Sequence, residues 1–235
     1  LMRCAPAFRA ASERCDQALK PLVGWSLREQ LDAPEESSRL DDISVVQPIL
    51  FAIQVALTAQ WQAWGVMPDA VVGHSMGEPA AAHAAGILDL DTATRIIVAR
   101  SRLMKRTSGR GAMAVVELTM AQAAVELQGR EAALSIAVSN SPRSTVISGN
   151  PAAMDQLLAE LEGRQVFCRR IKVDVASHSP QMEPLRGELV AALDGIAPQA
   201  ETVPVYSTVT GGLLGGEAFR ADYWGDNLRR PVRFA

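Results

Sequence analysis

Residues 70–86 place the tightest constraint on what this chain can become. Ala70-Val71-Val72 is a short apolar run that reads as a strand, and Gly73-His74-Ser75-Met76-Gly77 follows it directly. From Met76 to Ala85 the sequence is alanine-rich and helical, and Gly86 is placed to end that helix. A strand that passes into a helix through G-x-S-x-G turns within a few residues and projects the serine hydroxyl from the corner. The helix start then offers backbone N–H groups, that of Met76 first, to a developing negative charge. Glycines at both flanks are expected to permit the turn. The plainer alternative is a tight βα turn with an idle serine.

The rest of the chain supports a layered α/β body. Residues 1–35 read as helix with a loop near 21–24, and 45–64 as a long buried helix with Pro48 in its first turn. Asp89 or Asp91 caps another helix that runs to about Arg106. After the hinge-like Ser108-Gly109-Arg110-Gly111 the pattern changes. Strands are expected at 112–118, 133–139, 145–148 and 166–173, with helices at 119–128 and 151–161. That β-α-β-β-α-β order is ferredoxin-like. The expected architecture is therefore a large subdomain from residues 1–111 and 174–235, with a small ferredoxin-like subdomain, 112–173, inserted in it. The large part resumes with a helix near 180–193 and a strand near 203–208. The abrupt ends, Leu1-Met2-Arg3 without a helix cap and Pro231 to Ala235 without a stop signal, read as an excerpt from a longer polypeptide.

Composition excludes several classes. The net charge is −3 with no long run of Lys or Arg, which argues against nucleic-acid binding through a basic face. Cys4, Cys15 and Cys168 are scattered, with no metal-ligand spacing and no disulfide framework, so neither a metal nor a secretory setting is expected. No uninterrupted apolar run reads as long enough to cross a bilayer. The stretch 70–90 comes closest and is broken by His74, Glu78 and His83. The expected setting is cytoplasmic, away from membranes.

Ser75 needs a base, and the chain has three histidines. His74 lies inside the turn, where its side chain should diverge from that of Ser75. His83 sits in the alanine-rich helix and reads as packed or solvated. His178, in Asp174-Val175-Ala176-Ser177-His178-Ser179-Pro180, follows a strand and precedes a helix, a loop position suited to catalysis. Arg100 is the second informative residue. The helix at 91–106 carries an apolar face through Ala93, Ile96, Ile97, Leu103 and Met104, and Arg100 falls in its middle. A cation there requires an anionic partner or a cavity. Guanidinium binds carboxylates bidentately. The pattern therefore suggests either an acyl substrate with a free carboxylate or a structural salt bridge.

Taken together, these segments resemble one family. Gly73-His74-Ser75-Met76-Gly77-Glu78 with Ala80 to Gly86 is similar to the active-site block of malonyl-CoA:carrier-protein transacylases and of polyketide synthase acyltransferase domains. Arg100-Ser101, Val175-Ala176-Ser177-His178, Tyr223-Trp224, Asn227-Leu228-Arg229 and Pro231-Val232-Arg233-Phe234 match further blocks in order, as do Gln47-Pro48 and Asn140-Ser141-Pro142. The resemblance implies an α/β-hydrolase-like large subdomain with the inserted ferredoxin-like one. It implies a ping-pong transfer in which His178 activates Ser75 and Arg100 holds the substrate's distal carboxylate. The acyl group passes from an acyl-CoA thioester to the phosphopantetheine thiol of an acyl carrier protein. No cofactor is bound by the domain itself. A ketosynthase domain is expected as a neighbour in the same polypeptide. Met76, Ser177 and Gln47 are implied to line the substrate site. A backbone carbonyl at the position of Asn227 is implied to orient the imidazole in place of a triad acid. The family's upstream Gly-Gln-Gly segment has no counterpart in this sequence. Ser177 leaves room for an α-methyl group, so malonyl and methylmalonyl units both stand.

Two other classes compete. A serine esterase or editing thioesterase would use Asp155 or Asp174 as a triad acid, in the order Ser75, Asp, His178, and would not need Arg100. A docking scaffold that keeps only the fold would need none of the three.

Overall fold

The computed structural model describes residues 1–235. The chain begins with α1 (Pro6–Val23), α2 (Leu27–Asp32) and α3 (Ile43–Ala63), then β1 (Val71–Val72), α4 (Glu78–Ala84) and α5 (Leu90–Lys105). Side-chain caps fix several of the helix starts. Asp42 accepts from the Ser44 N–H at 2.9 Å, and Asp89, not Asp91, accepts from the Thr92 N–H at 2.7 Å. Gly24, at φ 74°, closes α1.

Three expectations are corrected here. The loop expected near 21–24 is helical through Val23, with Pro21 in the last turn of α1. Pro48 lies in the second turn of α3, because Asp42 starts that helix earlier than the apolar pattern suggests. The same helix corrects the membrane reading. α3, and not 70–90, is the segment long and apolar enough to cross a bilayer. Here it packs between α1 and α5, with Val45, Ile49, Phe51 and Ala52 buried in the main core. An apolar helix of this length is what a helix covered on several sides requires.

The middle of the chain forms β2 (Ala112–Val116), α6 (Met120–Glu126), β3 (Leu134–Ser141), β4 (Ser144–Gly149), α7 (Pro151–Gly163) and β5 (Cys168–Arg170). Thr119 and Gln122 cap α6 reciprocally, and Asn150 caps α7. The strand order is β5-β2-β4-β3, all antiparallel, the arrangement of a ferredoxin-like sheet. α6 and α7 cover one face around Ala114, Leu134, Ile147, Met154, Leu157 and Leu161.

The remainder comprises α8 (Glu183–Ala192), β6 (Val205–Ser207), β7 (Gly212–Leu213), α9 (Ala221–Arg229) and β8 (Val232–Arg233). β6 pairs parallel with β1, bringing residue 205 beside residue 71. The main core gathers Leu19, Phe51, Ile96, Ile97, Trp224 and Leu228 from α1, α3, α5 and α9. α9, which hydrophobic pattern alone did not reveal, buries Tyr223, Trp224 and Leu228 there. β8 departs from the simple insertion picture. It pairs parallel with β3 and becomes the fifth strand of the small sheet, so the end of the chain ties the two parts together.

Candidate active site

The site begins at the corner between β1 and α4. A single 3₁₀ turn, Ser75–Gly77, precedes α4. Ser75 has φ 52°, a left-handed conformation that is costly for a residue with a side chain. Gly73 is sterically required: a Cβ there would lie 2.4 Å from the Gly77 carbonyl and the Glu78 nitrogen. Gly77 is not, since its nearest neighbour would be the Gln54 side chain at 3.5 Å. The expectation that both flanking glycines are needed thus holds on one side only. The chain doubles back over Gly73, whereas Gly77 already lies in right-handed helical backbone.

His178 reaches this corner from the loop after β5. Gly111 lets the two segments approach, since a Cβ there would sit 2.0 Å from the Ala176 nitrogen. Ser179 closes the loop, its hydroxyl donating to the Ala176 carbonyl at 2.7 Å. His178 also holds a positive φ, 59°. Its Nε2 lies 2.8 Å from Ser75 Oγ, and its Nδ1 lies 2.9 Å from the Arg230 carbonyl. A carbonyl only accepts, so Nδ1 carries the proton and Nε2 presents its lone pair to the Ser75 hydroxyl. Burial, and then the nearby Arg100 cation, push the imidazole down to about 3. It is therefore a neutral base in waiting at ordinary pH.

Arg100 is 1% exposed. Nη1 donates to Gln47 Oε1 at 2.7 Å and Nη2 to Ser75 Oγ at 2.9 Å, while the buried Nε has no partner. It joins none of the chain's ion pairs, so the salt-bridge alternative for this residue fails. Burial lowers its pKa to about 10, and the Glu78 charge opposes that shift. Gln47, itself buried, also places Nε2 3.9 Å from Met104 Sδ. Met76 packs on the main core next in chain to Ser75, and Ser177 is buried next to His178.

Asn227 is the corrected residue. Its own carbonyl is not the partner of His178. α9 ends at Arg229, and Arg230 leaves it in extended conformation (φ −78°, ψ 156°), so the Arg230 carbonyl is free of the helical ladder and turns to the imidazole. Asn227 acts instead through its side chain, donating to the Ser75 carbonyl at 3.2 Å and to Glu78 Oε2 at 2.8 Å. Glu78 was not singled out in the sequence. It is buried and also receives Thr208 and Tyr223. A carboxylate between Gly77 and Pro79 reads as an ordinary first-turn acid, and only β6 and α9 bury it.

The other candidates lie outside this cluster. His74 meets Asn140 Oδ1 at 2.9 Å and lies against Phe234 with the rings tilted at 54°, bridging the two subdomains. His83 meets the Leu88 carbonyl at 2.9 Å. Asp155 pairs with Arg170 on the surface, and Asp174 receives Ser108 and the Gly109 N–H. Neither acid meets His178.

A serine whose O–H points at a neutral imidazole, with an arginine beside it, can attack a carbonyl carbon while holding a second, anionic part of the substrate. A family model described as acyl transferase domain matches residues 1–235. The chain is 48% identical over its whole length to the spectinabilin polyketide synthase system protein NorA' of Streptomyces orinoci, and it spans 6% of that protein. Among solved structures it superposes with a TM-score of 0.97 and 42% identity on the acyltransferase domain from module 8 of the salinomycin polyketide synthase, covering all of this chain and 55% of that one. The malonyl CoA-acyl carrier protein transacylase of Coxiella burnetii is a more distant match, with a TM-score of 0.87, 28% identity, and coverage of 96% of this chain and 73% of that one.

Proposed function

This chain belongs to the acyl transferase domain family, and from that premise we propose that it moves a malonyl-type unit, malonyl or methylmalonyl, from coenzyme A to Ser75 and on to an acyl carrier protein in polyketide assembly. The observation that carries the reading is the pair of contacts at one oxygen: His178 Nε2 at 2.8 Å and Arg100 Nη2 at 2.9 Å from Ser75 Oγ.

Ser75 Oγ attacks the thioester carbonyl carbon as its proton passes to His178 Nε2. The Arg230 carbonyl supports the imidazolium through Nδ1–H, in the place a triad acid would take. The carbonyl oxygen becomes an oxyanion, with the Met76 N–H as the donor this corner offers. Collapse of the tetrahedral intermediate breaks the C–S bond. The departing thiolate takes the proton back from Nε2, and an acyl ester on Ser75 remains. The carrier's phosphopantetheine thiol then gives its proton to His178 and attacks the ester carbon. Ser75 leaves with that proton. Arg100, steadied by Gln47, holds the substrate's free carboxylate throughout, with Met76 and Ser177 placed beside the reacting pair. No step requires a bound cofactor or metal. The partners on this reading are an acyl-CoA, a carrier protein and a ketosynthase domain in the same polypeptide, in the cytoplasm.

Intact-mass analysis of the protein mixed with malonyl-CoA, methylmalonyl-CoA and acetyl-CoA tests the proposal. A malonyl-type adduct lost in Ser75→Ala is the expected result. An adduct on another residue, or acetyl in preference to both carboxylated units, would overturn it.

A further inference from the structure

Glu78 is the one buried carboxylate in the chain. Every group that faces it donates. Oε1 receives the Thr208 N–H at 2.6 Å and its O–H at 2.7 Å. Oε2 receives the Tyr223 O–H at 2.6 Å and the Asn227 amide at 2.8 Å. The Ser207 oxygen accepts the N–H groups of Val209 and Thr210, each at 3.1 Å. That leaves the Ser207 proton for the Tyr223 oxygen, 2.8 Å away, and the Tyr223 proton for Glu78. Four donors fit an ionised carboxylate, although burial pushes its pKa upward. Arg100 supplies the opposite buried charge.

Two of the four donors, Tyr223 and Asn227, belong to α9. Asn227 continues from Glu78 to the Ser75 carbonyl, and three residues later the Arg230 carbonyl receives His178 Nδ1–H. α9 and the residue that follows it therefore touch the backbone of the nucleophile and the ring of the base. Both residues sit at positive φ, a conformation that persists only where the surroundings hold it. Trp224 and Leu228 seat α9 on the core, but apolar contacts tolerate sliding. Two charge-assisted hydrogen bonds from α9 to one carboxylate, itself held by two more from Thr208, fix it more narrowly.

We propose that Glu78 is the positioning residue of the Ser75–His178 pair, fastening α9 to the corner so that Ser75 Oγ, His178 Nε2 and the Arg230 carbonyl stay in line. It acts through Asn227 and Tyr223 and touches no substrate. The proposal rests on the acyl-transfer reading above, and the two fail differently. Without an adduct on the wild-type protein, that reading is wrong. With a wild-type adduct, the variants decide this one.

Rapid-quench mass analysis of the full protein with malonyl-CoA yields an acylation rate constant, an amplitude and a half-saturating concentration. Glu78→Gln keeps the shape and puts an amide among donors. Its rate constant should fall about 100-fold, as for a misplacement near one ångström. Its amplitude should stay near wild type, and half-saturation should move less than about threefold, because Arg100 and Gln47 are untouched. A purely structural role would lower the amplitude and leave the rate constant of the folded remainder unchanged. That result, or a wild-type rate, overturns the proposal. Should Glu78→Gln fail to fold, Tyr223→Phe and Asn227→Ala each remove one donor. Each should lower the rate constant about tenfold at full amplitude, and wild-type constants in both would equally overturn it.

Discussion

Arg100 donates to the Ser75 hydroxyl oxygen at 2.9 Å, so the cation proposed to receive the substrate's carboxylate rests, in the free site, on the nucleophile itself. Its Nε stays buried and unpartnered meanwhile. A carboxylated substrate would satisfy both, and one without a carboxylate would satisfy neither.

Arg100→Ala should therefore discriminate between substrates. Truncating one partner of a desolvated charged pair typically costs about 2–5 kcal/mol, which predicts a loss of roughly 30-fold to several thousand-fold in malonyl transfer. Acetyl-CoA has no distal carboxylate and should gain relative to malonyl-CoA. The measurement is kcat/KM for both substrates in both proteins, with a thermal melt to exclude misfolding. Equal losses in a folded variant would make Arg100 structural.

His178 predicts an unusual pH response. With the imidazole pushed down to about 3, acylation should stay flat through the usual histidine range near 6.5 and decline only in strong acid. The sign for stability follows from the same shift. Between about 6.5 and 3 the unfolded chain binds a proton at this position and the folded one does not, so stability falls as pH falls through that window. Denaturant titrations from pH 7.5 to 4.5 should show that slope in wild type and a shallower one in His178→Ala. A histidine-like break in the acylation rate near pH 6.5 would refute the assignment.

The two glycines of the corner should behave differently. Gly73→Ala forces a Cβ into backbone at 2.4 Å and should destabilise the fold by about 1–3 kcal/mol or more. Gly77→Ala meets only the Gln54 side chain at 3.5 Å and should change stability by less than about 1 kcal/mol. Equal effects in urea melts would mean that the corner is not the steric constraint described above.

The triad alternative can be tested directly. Asp155→Ala and Asp174→Asn should each leave the acylation rate within about threefold of wild type, since His178 Nδ1 faces a carbonyl and neither acid. A drop of several orders of magnitude in either variant would restore the hydrolase reading.

Several features were legible in the sequence for a local reason. Helical periodicity alone puts Arg100 in an apolar stripe, and glycine beside an apolar run marks the corner at Ser75. The β-α-β-β-α-β order shows in strands whose turns carry their own signals. These depend on residues within a few positions of each other. What the sequence left open depended on distant segments meeting. Whether Arg100 found a carboxylate of its own or a vacant site was decided by how α5 packs against α3 and the corner, where it meets Gln47 and Ser75 and no acid. That the Arg230 carbonyl, and not that of Asn227, supports His178 depended on where α9 ends. Glu78 is buried only because distant segments, among them Tyr223, 145 residues away, close over it. Spacing along the chain sets which side chains share a face. Burial and hydrogen-bond satisfaction, settled only when the layers pack, decide which of them touch.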